Sequence, residues 1–165
     1  MAKKKFGKRE KPEFDQKLLD LARVTRVVKG GRRFRFRAVL IIGNRNGKVG
    51  VGVAKGNDVS EAIRKSYNGA TKSLIQIKRH NNTISCEVKA KEGSAVVMLK
   101  PAKPGRGIVA GGAVRAVVEL AGIRDIVSKS MGSANKLSVA RATLKALGEV
   151  KSLSSRGAEE KIAKI

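Results

Sequence analysis

The stretch RVVKGGRRFRFRAVLII, Arg26–Ile42, carries six basic side chains and no acidic one. It also alternates. Phe34, Phe36, Ala38, Leu40 and Ile42 fall on even positions, and Arg33, Arg35 and Arg37 on odd ones. A period of two marks a strand with one buried and one solvated face. Gly30-Gly31 ahead of it reads as a two-residue turn of type I′, which needs positive φ at both central residues. The stretch is therefore the second strand of a hairpin, with an apolar face and an arginine face.

Working outward, Arg23 to Lys29 is rich in Val and Thr and supplies the first strand. Asp15 to Leu21 reads either as a short helical turn or as the start of that strand. Asn44 to Gly47 ends in Asn-Gly, a second turn signal. Val49, Val51 and Val53 then line one face of a third strand, with Gly50 and Gly52 on the other. Asp58 is a good helix N-cap, and Glu61 three residues on completes a capping box. Ile63, Tyr67, Ala70, Leu74 and Ile77 step by four and three along one helical face. The expected unit is three antiparallel strands and a helix, with Phe34, Phe36 and Leu40 packed under the helix and the arginines pointing away.

The run KRHNN, Lys78–Asn82, reads as a linker, bounded as 79–83 in the domain division. Ile84, Cys86 and Val88 alternate, and Lys91-Glu92-Gly93 turns into Ala95–Leu99, a second hairpin. A helix is expected from about Ala113 to Ala121, a short strand at Ile123–Val127, and a helix marked by Leu137, Ala140, Leu144 and Leu147. The organisation is a basic arm (1–14), an N-terminal domain (15–78), the linker (79–83), a C-terminal ββαβα domain (84–150) and a polar tail (151–165). The fold class is α+β with two domains.

The chain has 165 residues, 41% of them hydrophobic, which is enough for a core. Its net charge is +24. Charge of that size repels itself unless a polyanion neutralises it, so nucleic acid or an anionic membrane is the expected partner. No apolar run approaches the ~18 residues of a spanning helix. The N-terminus MAKKKFGKREKPEFD lacks an apolar core segment, so it is no secretory signal. The expectation is a cytoplasmic protein without a membrane partner. Charge is spread along the chain, with fifteen basic and four acidic side chains between 15 and 78 and sixteen and seven between 79 and 165.

Catalysis has little to work with. One His (His80) and one Cys (Cys86) cannot close a zinc site. Cys86 is expected in the apolar face of its strand. No Ser-His-acid or Cys-His set stands out. GNRNGKVG, Gly43–Gly50, has three residues between its first Gly and Gly-Lys, not the four of a phosphate loop, and Val49 stands where Ser or Thr would bind magnesium. Gly105–Ala110 fits G-x-G-x-x-A, and Asp125 follows twenty residues later, the mark of a dinucleotide site. Pro101 and Pro104 separate those glycines from the strand, however, and too little chain remains for a doubly wound sheet. A basic nucleotide-binding enzyme using this loop is the alternative reading. The preferred reading has no enzyme activity, cofactor, metal or small-molecule substrate.

Aromatic residues make up only 3% of the chain, and two of the four phenylalanines, Phe34 and Phe36, are expected in the core. Single-strand binders stack bases on exposed aromatics, so this chain is expected to read the backbone and shape of structured RNA. The candidate RNA-contacting residues are Arg23, Arg26, Lys29, Gly30, Gly31, Arg32, Arg33, Arg35, Arg37, Arg45, Lys48, Lys55 and Lys65. The bland alternative is a merely solvated charged strand.

VVKGGRRFRF, NGKVGVGVAKGNDVSEAI, KPGRGIVAGGAVRAVVELAGI and SMGSANKLSVARATLKAL, taken together and in this order, resemble the family of bacterial-type small-subunit ribosomal protein five, from about Leu18 to Leu147. RRFRFR is more basic than the family pattern, and the C-terminal tail diverges. The resemblance implies an N-terminal domain similar to the double-stranded-RNA-binding fold and a C-terminal α/β sandwich with a left-handed βαβ crossover, a hand that spacing does not indicate. It implies a place on the back of the small subunit where head meets body, 16S-type ribosomal RNA as ligand, and small-subunit proteins four and eight as neighbours. It also implies a contact with protein four, through Gly105, Arg106, Gly107 and Arg115, that is tied to translational accuracy.

Overall fold

The computed structural model describes residues 13–150. The arm before Glu13 and the tail after Val150 lie outside the described residues.

The alternation that opens the sequence forms strand β2, Gly31–Gly43. It pairs antiparallel with β1, Asp15–Val28, and with β3, Lys48–Gly56. The ambiguous segment Asp15–Leu21 is thus strand, not helix, and a register shift between Leu18 and Asp20 absorbs one residue of its length. Val28 pairs with Gly31, so the turn residues are Lys29 and Gly30, one position earlier than expected. Positive φ occurs at Gly31 (142°) and not at Gly30, which excludes the type I′ turn. A two-residue strand β4, Ile75–Gln76, adds to β3 and completes a sheet of order β1-β2-β3-β4.

Helix α1, Val59–Lys72, lies on the even face of β2. Its buried side chains are Ala62, Ser66 and Ala70, a small-residue line at i, i+4, i+8 that the larger residues Ile63 and Tyr67 only flank. The reason lies on β3. A Cβ at Gly50 would come 2.6 Å from the Ala70 carbonyl oxygen, and one at Gly56 the same distance from the Ala62 nitrogen. Glycines on the strand and small residues on the helix let the two backbones approach closely, and the Ser66 hydroxyl donates to the Ala38 carbonyl (3.0 Å). Glu61 reaches back to accept from the Asn57 N–H (2.8 Å), while the Asp58 carboxylate accepts from the Ser60 hydroxyl and makes no cap to the helix. The expected capping box is therefore displaced: Glu61 holds the N–H of Asn57, one residue before the N-cap Asp58. Leu40 and Ile42 pack with Phe14, Ala70, Tyr67 and Leu74. Phe14, expected in the arm, is thus a core residue.

The second unit has order β5-β6-β8-β7, from β5 (Val88–Glu92), β6 (Ala95–Pro101), β7 (Ile108–Val109) and β8 (Ile126–Gly132). Helices α2 (Gly112–Ala121) and α3 (Lys136–Glu149) accompany it. The unit carries one strand more than expected. β7 pairs parallel with β8, and β7-α2-β8 is the parallel crossover. β8 starts at Ile126 because Asp125 just before it is buried as a polar anchor, leaving Ile123 to fill the core from a loop. The first hairpin starts only at Val88. Ile84 is buried outside any strand, and Cys86 is half-buried in a bend, not in a strand core. Asn135 caps α3, accepting from the Leu137 N–H (3.1 Å).

Helix α2 is apolar almost all round, with Val114, Ala116, Val117, Val118, Leu120 and Ala121 buried. An amphipathic helix needs only one apolar stripe; this one is covered from two sides. Ile41 and Val49 of the first sheet share a core cluster with Val97 and Leu99 of the second, α2 among them. The turn after β2 also terminates the helix. The Arg45 and Gly47 N–H groups donate to the Leu120 and Ala121 carbonyls at 2.9 and 3.0 Å. These are carbonyls with no partner inside the helix. Gly122, with φ 81°, closes the helix so tightly against Arg45 that a Cβ there would overlap the Arg45 carbonyl. Arg79 of the expected linker donates to the Gly122 carbonyl (3.0 Å) and to Asn46 Oδ1 (2.7 Å). The two units are joined by backbone hydrogen bonds, and the linker is docked between them.

Candidate nucleic-acid interface

β3 pairs with β2 only from Phe36 to Gly43. Beyond Phe36 the β1–β2 hairpin runs on alone, a two-stranded ribbon with both faces open. It carries Arg23, Arg26, Lys29, Arg32, Arg33 and Arg35, all exposed, and no acidic residue. Pairing assigns them to faces. Arg33 and Arg35 lie on one face, and Arg26 stands directly opposite Arg33. At the base of the same face Arg37 stands directly opposite Lys55. Like charges in directly opposed positions destabilise a sheet, and here two such pairs occur in sequence. Asp20 gives partial relief, accepting from Arg37 at 3.5 Å, while Arg37 Nε is buried without a partner. At the tip, Val28, Lys29, Gly30, Gly31, Arg32 and Arg33 surround a concavity of about 540 Å³.

The other expected RNA-contacting residues are elsewhere. Lys65 sits on α1, ion-paired to Glu61 at 2.7 Å. Arg45 and Lys48 lie at the far end of the sheet, where Arg45 Nε meets Asp15 at 2.8 Å. Four arginines that no sequence pattern links, Arg45, Arg79, Arg115 and Arg124, line a cleft of about 590 Å³ at the junction of the two units. Arg79 and Arg124 escaped the sequence reading because their proximity comes from domain docking, not from spacing.

Phe34 departs from its expected place. It is 45% exposed on the ribbon, outside the cluster packed under α1, and the Arg23 guanidinium carbon lies 3.6 Å from its ring centroid. Val27, on the same face, is 76% exposed.

Gly105 and Gly107 adopt left-handed φ (87° and 76°) in an exposed loop before β7. The buried Asp125 carboxylate accepts from the Gly107 N–H (2.8 Å) and holds this loop. Strand β7 stands between these glycines and α2, so they do not open a helix, and Asp125 is spent on the loop. Both features remove the dinucleotide reading. Arg106 is exposed beside them; Arg115 is exposed on α2, one turn before Glu119. Helix α2 has Gly111 as its N-cap, with no side-chain cap and no acidic residue in its first turn.

Electrostatics ties the units together. Lys17 of β1 meets Glu119 of α2 at 2.9 Å, and Lys136 of α3 meets Asp20 of β1 at 3.1 Å. The hydrogen bond from Lys136 is the main reason the Asp20 carboxyl sits below the usual aspartate range. That from Lys17 lowers Glu119 likewise. Among the described residues no group of three or more His, Cys, Asp or Glu is placed to hold a metal ion, and no helix is long and apolar enough to cross a membrane.

Residues 14–78 match the family model described as ribosomal protein S5, N-terminal domain, and residues 90–161 that of ribosomal protein S5, C-terminal domain. Small ribosomal subunit protein uS5 of Campylobacter jejuni is 49% identical over 144 residues, covering 87% of this chain and 98% of that protein. The proteins of the same name from Thermotoga neapolitana and Thermotoga maritima are each 49% identical, over 138 and 135 residues. These cover 84% and 82% of this chain and 78% and 76% of the relatives.

Proposed function

The chain belongs to the ribosomal protein S5 family of the small ribosomal subunit, structural and not enzymatic, and from that premise we propose that it fastens the head of the subunit to its body. In this reading the β1–β2 ribbon lies against ribosomal RNA at the back of the subunit, and the C-terminal unit faces small-subunit proteins four and eight. The assembly works in the cytoplasm.

One observation carries the RNA assignment to the ribbon. Its arginine face sets cation against cation at Arg26–Arg33, on a hairpin that has no core of its own to stabilise, and the same face repeats this at its base, where Arg37 of β2 meets Lys55 of β3. Phosphates between those pairs turn repulsion into bridging hydrogen bonds, and guanidinium is the group best shaped for that. Gly30 and Gly31 leave the tip without side chains, so backbone can approach phosphate closely. The Gly105–Gly107 loop and Arg115, on the other unit, form the surface assigned to protein four. The junction through α2, with its backbone hydrogen bonds and shared core, joins the two surfaces in one body, which is what a strut between head and body requires.

The test is binding to small-subunit particles that lack this chain, followed across salt concentrations. With about eight phosphates contacted, the logarithm of affinity falls against the logarithm of salt with a slope of about −7. A salt-independent affinity would refute the phosphate reading.

A further inference from the structure

We propose that the second face of the ribbon is a stacking site for one unpaired nucleobase of the ribosomal RNA, built from Arg23 and Phe34. The inference rests on the reading that the ribbon lies against RNA, and it adds a different chemistry on the opposite face.

Phe34 has no folding role that accounts for it. The core under α1 uses Phe14, Leu40 and Ile42, while Phe34 stands outside it with 45% of its surface open. Directly opposite is Thr25, too small to cover a ring. What does cover one side is Arg23, whose guanidinium carbon lies 3.6 Å from the ring centroid. The result is a stack of two flat groups, one cationic and one aromatic, with Arg32 and the exposed Val27 on the same face.

This is the surface that nucleobases recognise. Unstacked bases lie on aromatic rings and on arginine planes, and both occur here in contact. The base must be unpaired, because paired bases within an A-form helix offer no open face. A protein partner is the poorer fit, since it would have to bring carboxylates to a ribbon that carries six cations and no anion. The two faces thus divide the work. The arginine pairs take backbone phosphate, and the Arg23–Phe34 stack takes a base, which fixes where along the RNA the ribbon sits.

The experiment uses the same particles lacking this chain, with wild type, Phe34→Leu, Phe34→Tyr and the double variant Arg33→Gln/Arg35→Gln. Phe34→Leu keeps an apolar residue but removes the ring, and is expected to bind about tenfold more weakly at every salt concentration with the salt slope unchanged. Phe34→Tyr stays within about twofold of wild type, because it keeps the ring. The double arginine variant flattens the slope by about 2. Irradiation at 254 nm is expected to join the Phe34 peptide to a single nucleotide. Wild-type affinity in Phe34→Leu, equal losses in the Leu and Tyr variants, an adduct to protein instead of RNA, or a loss that tracks a lowered unfolding midpoint would each overturn the stacking site. A salt-independent wild type would instead bring down the underlying RNA reading, and the stacking site with it. That result differs from an unaffected Phe34→Leu over an intact slope.

Discussion

At Gly31 the backbone turns with φ 142°, in the region that only glycine occupies without strain, while its neighbour Gly30 has no such φ and open space where a Cβ would be. The pair is therefore unequal. Gly31→Ala is expected to cost about 1–3 kcal/mol, and Gly30→Ala to stay within about 0.5 kcal/mol of wild type. Denaturant unfolding of the two variants measures this directly, and equal costs would refute the turn geometry. Arg45 makes a similar point about side chains and backbone. Sequence reading placed it among RNA contacts for its charge, but its N–H is what docks the Leu120 carbonyl. A backbone role of that kind leaves no mark on residue type.

Among the elements, β3 and α1 meet backbone against backbone. A Cβ at Gly52 would overlap the Ser66 carbonyl and lie 2.7 Å from the Ala70 nitrogen. Because the obstacles are helix backbone and not a movable side chain, Gly52→Ala is expected to lower stability by at least the ~1–3 kcal/mol of ordinary overpacking. Thermal unfolding checks it; a change under about 0.5 kcal/mol would mean that the helix sits farther from the strand. The strands and helices themselves were largely legible. Alternation marks β2, turn residues bound it, helical spacing locates α1 and α3, and the apolar run from Ala113 locates α2. The misplacements have definite causes. Periodicity puts the even residues of β2 under α1, but it shows neither how far α1 extends over them, so that Phe34 falls outside the core, nor that Val39 and Ile41 on the other face are buried as well. Ile84 and Cys86 alternate with Val88, yet the chain there bends to reach the domain junction. β7 has two residues, too few for any period to register. The arginine face of the ribbon was readable because it lies within one strand. The cleft of Arg45, Arg79, Arg115 and Arg124 was not, because its residues meet only after the units dock.

For the whole molecule the question is what keeps the two units a single body in a chain of net charge +24. Part of the answer is that scarce carboxylates sit at the junction. Asp20 lies on β1 and receives Lys136 of the second unit and Arg37 of the first. Its folded pKa is lowered, chiefly by the Lys136 hydrogen bond, from an ordinary 3.8. A lowered carboxylate contributes stability that is present above the unfolded value and is lost as pH falls through the folded one. Asp20→Asn is thus expected to be less stable than wild type at pH 7, by up to about 1 kcal/mol for a half-exposed pair. The gap should close well below pH 3.8. A gap that persists in acid would show that Asp20 acts through packing and not through charge.

Accuracy of translation belongs to the same scale if, as the family resemblance implies, it depends on how the proposed contact with small-subunit protein four yields when the subunit closes around a correctly paired transfer RNA. Helix α2 is fixed at its C-terminal end by Arg45 and Gly47, so its N-terminal end is the part free to meet a neighbour. That end has an uncapped Gly111, no acidic residue in its first turn, and the exposed Arg115. A cation near a helix N-terminus is unfavourable by roughly 0.3–1 kcal/mol, and an acidic group on the neighbouring protein would offset it. Arg115→Leu removes the charge from an exposed position without touching the core. Gly105→Arg adds a bulky cation where there is open space but a left-handed φ of 87°, which distorts the adjoining loop. Both variants are expected to weaken the contact, ease closure and raise misreading of near-cognate codons, while subunits still assemble and translate. Reporter codons read by near-cognate transfer RNA measure the error rate, and gradient profiles check assembly. Unchanged errors with normal assembly would remove Arg115 from the accuracy contact and leave it as one of the four arginines of the junction cleft. Fewer errors would mean that the contact favours the closed state, the opposite of the sign argued here.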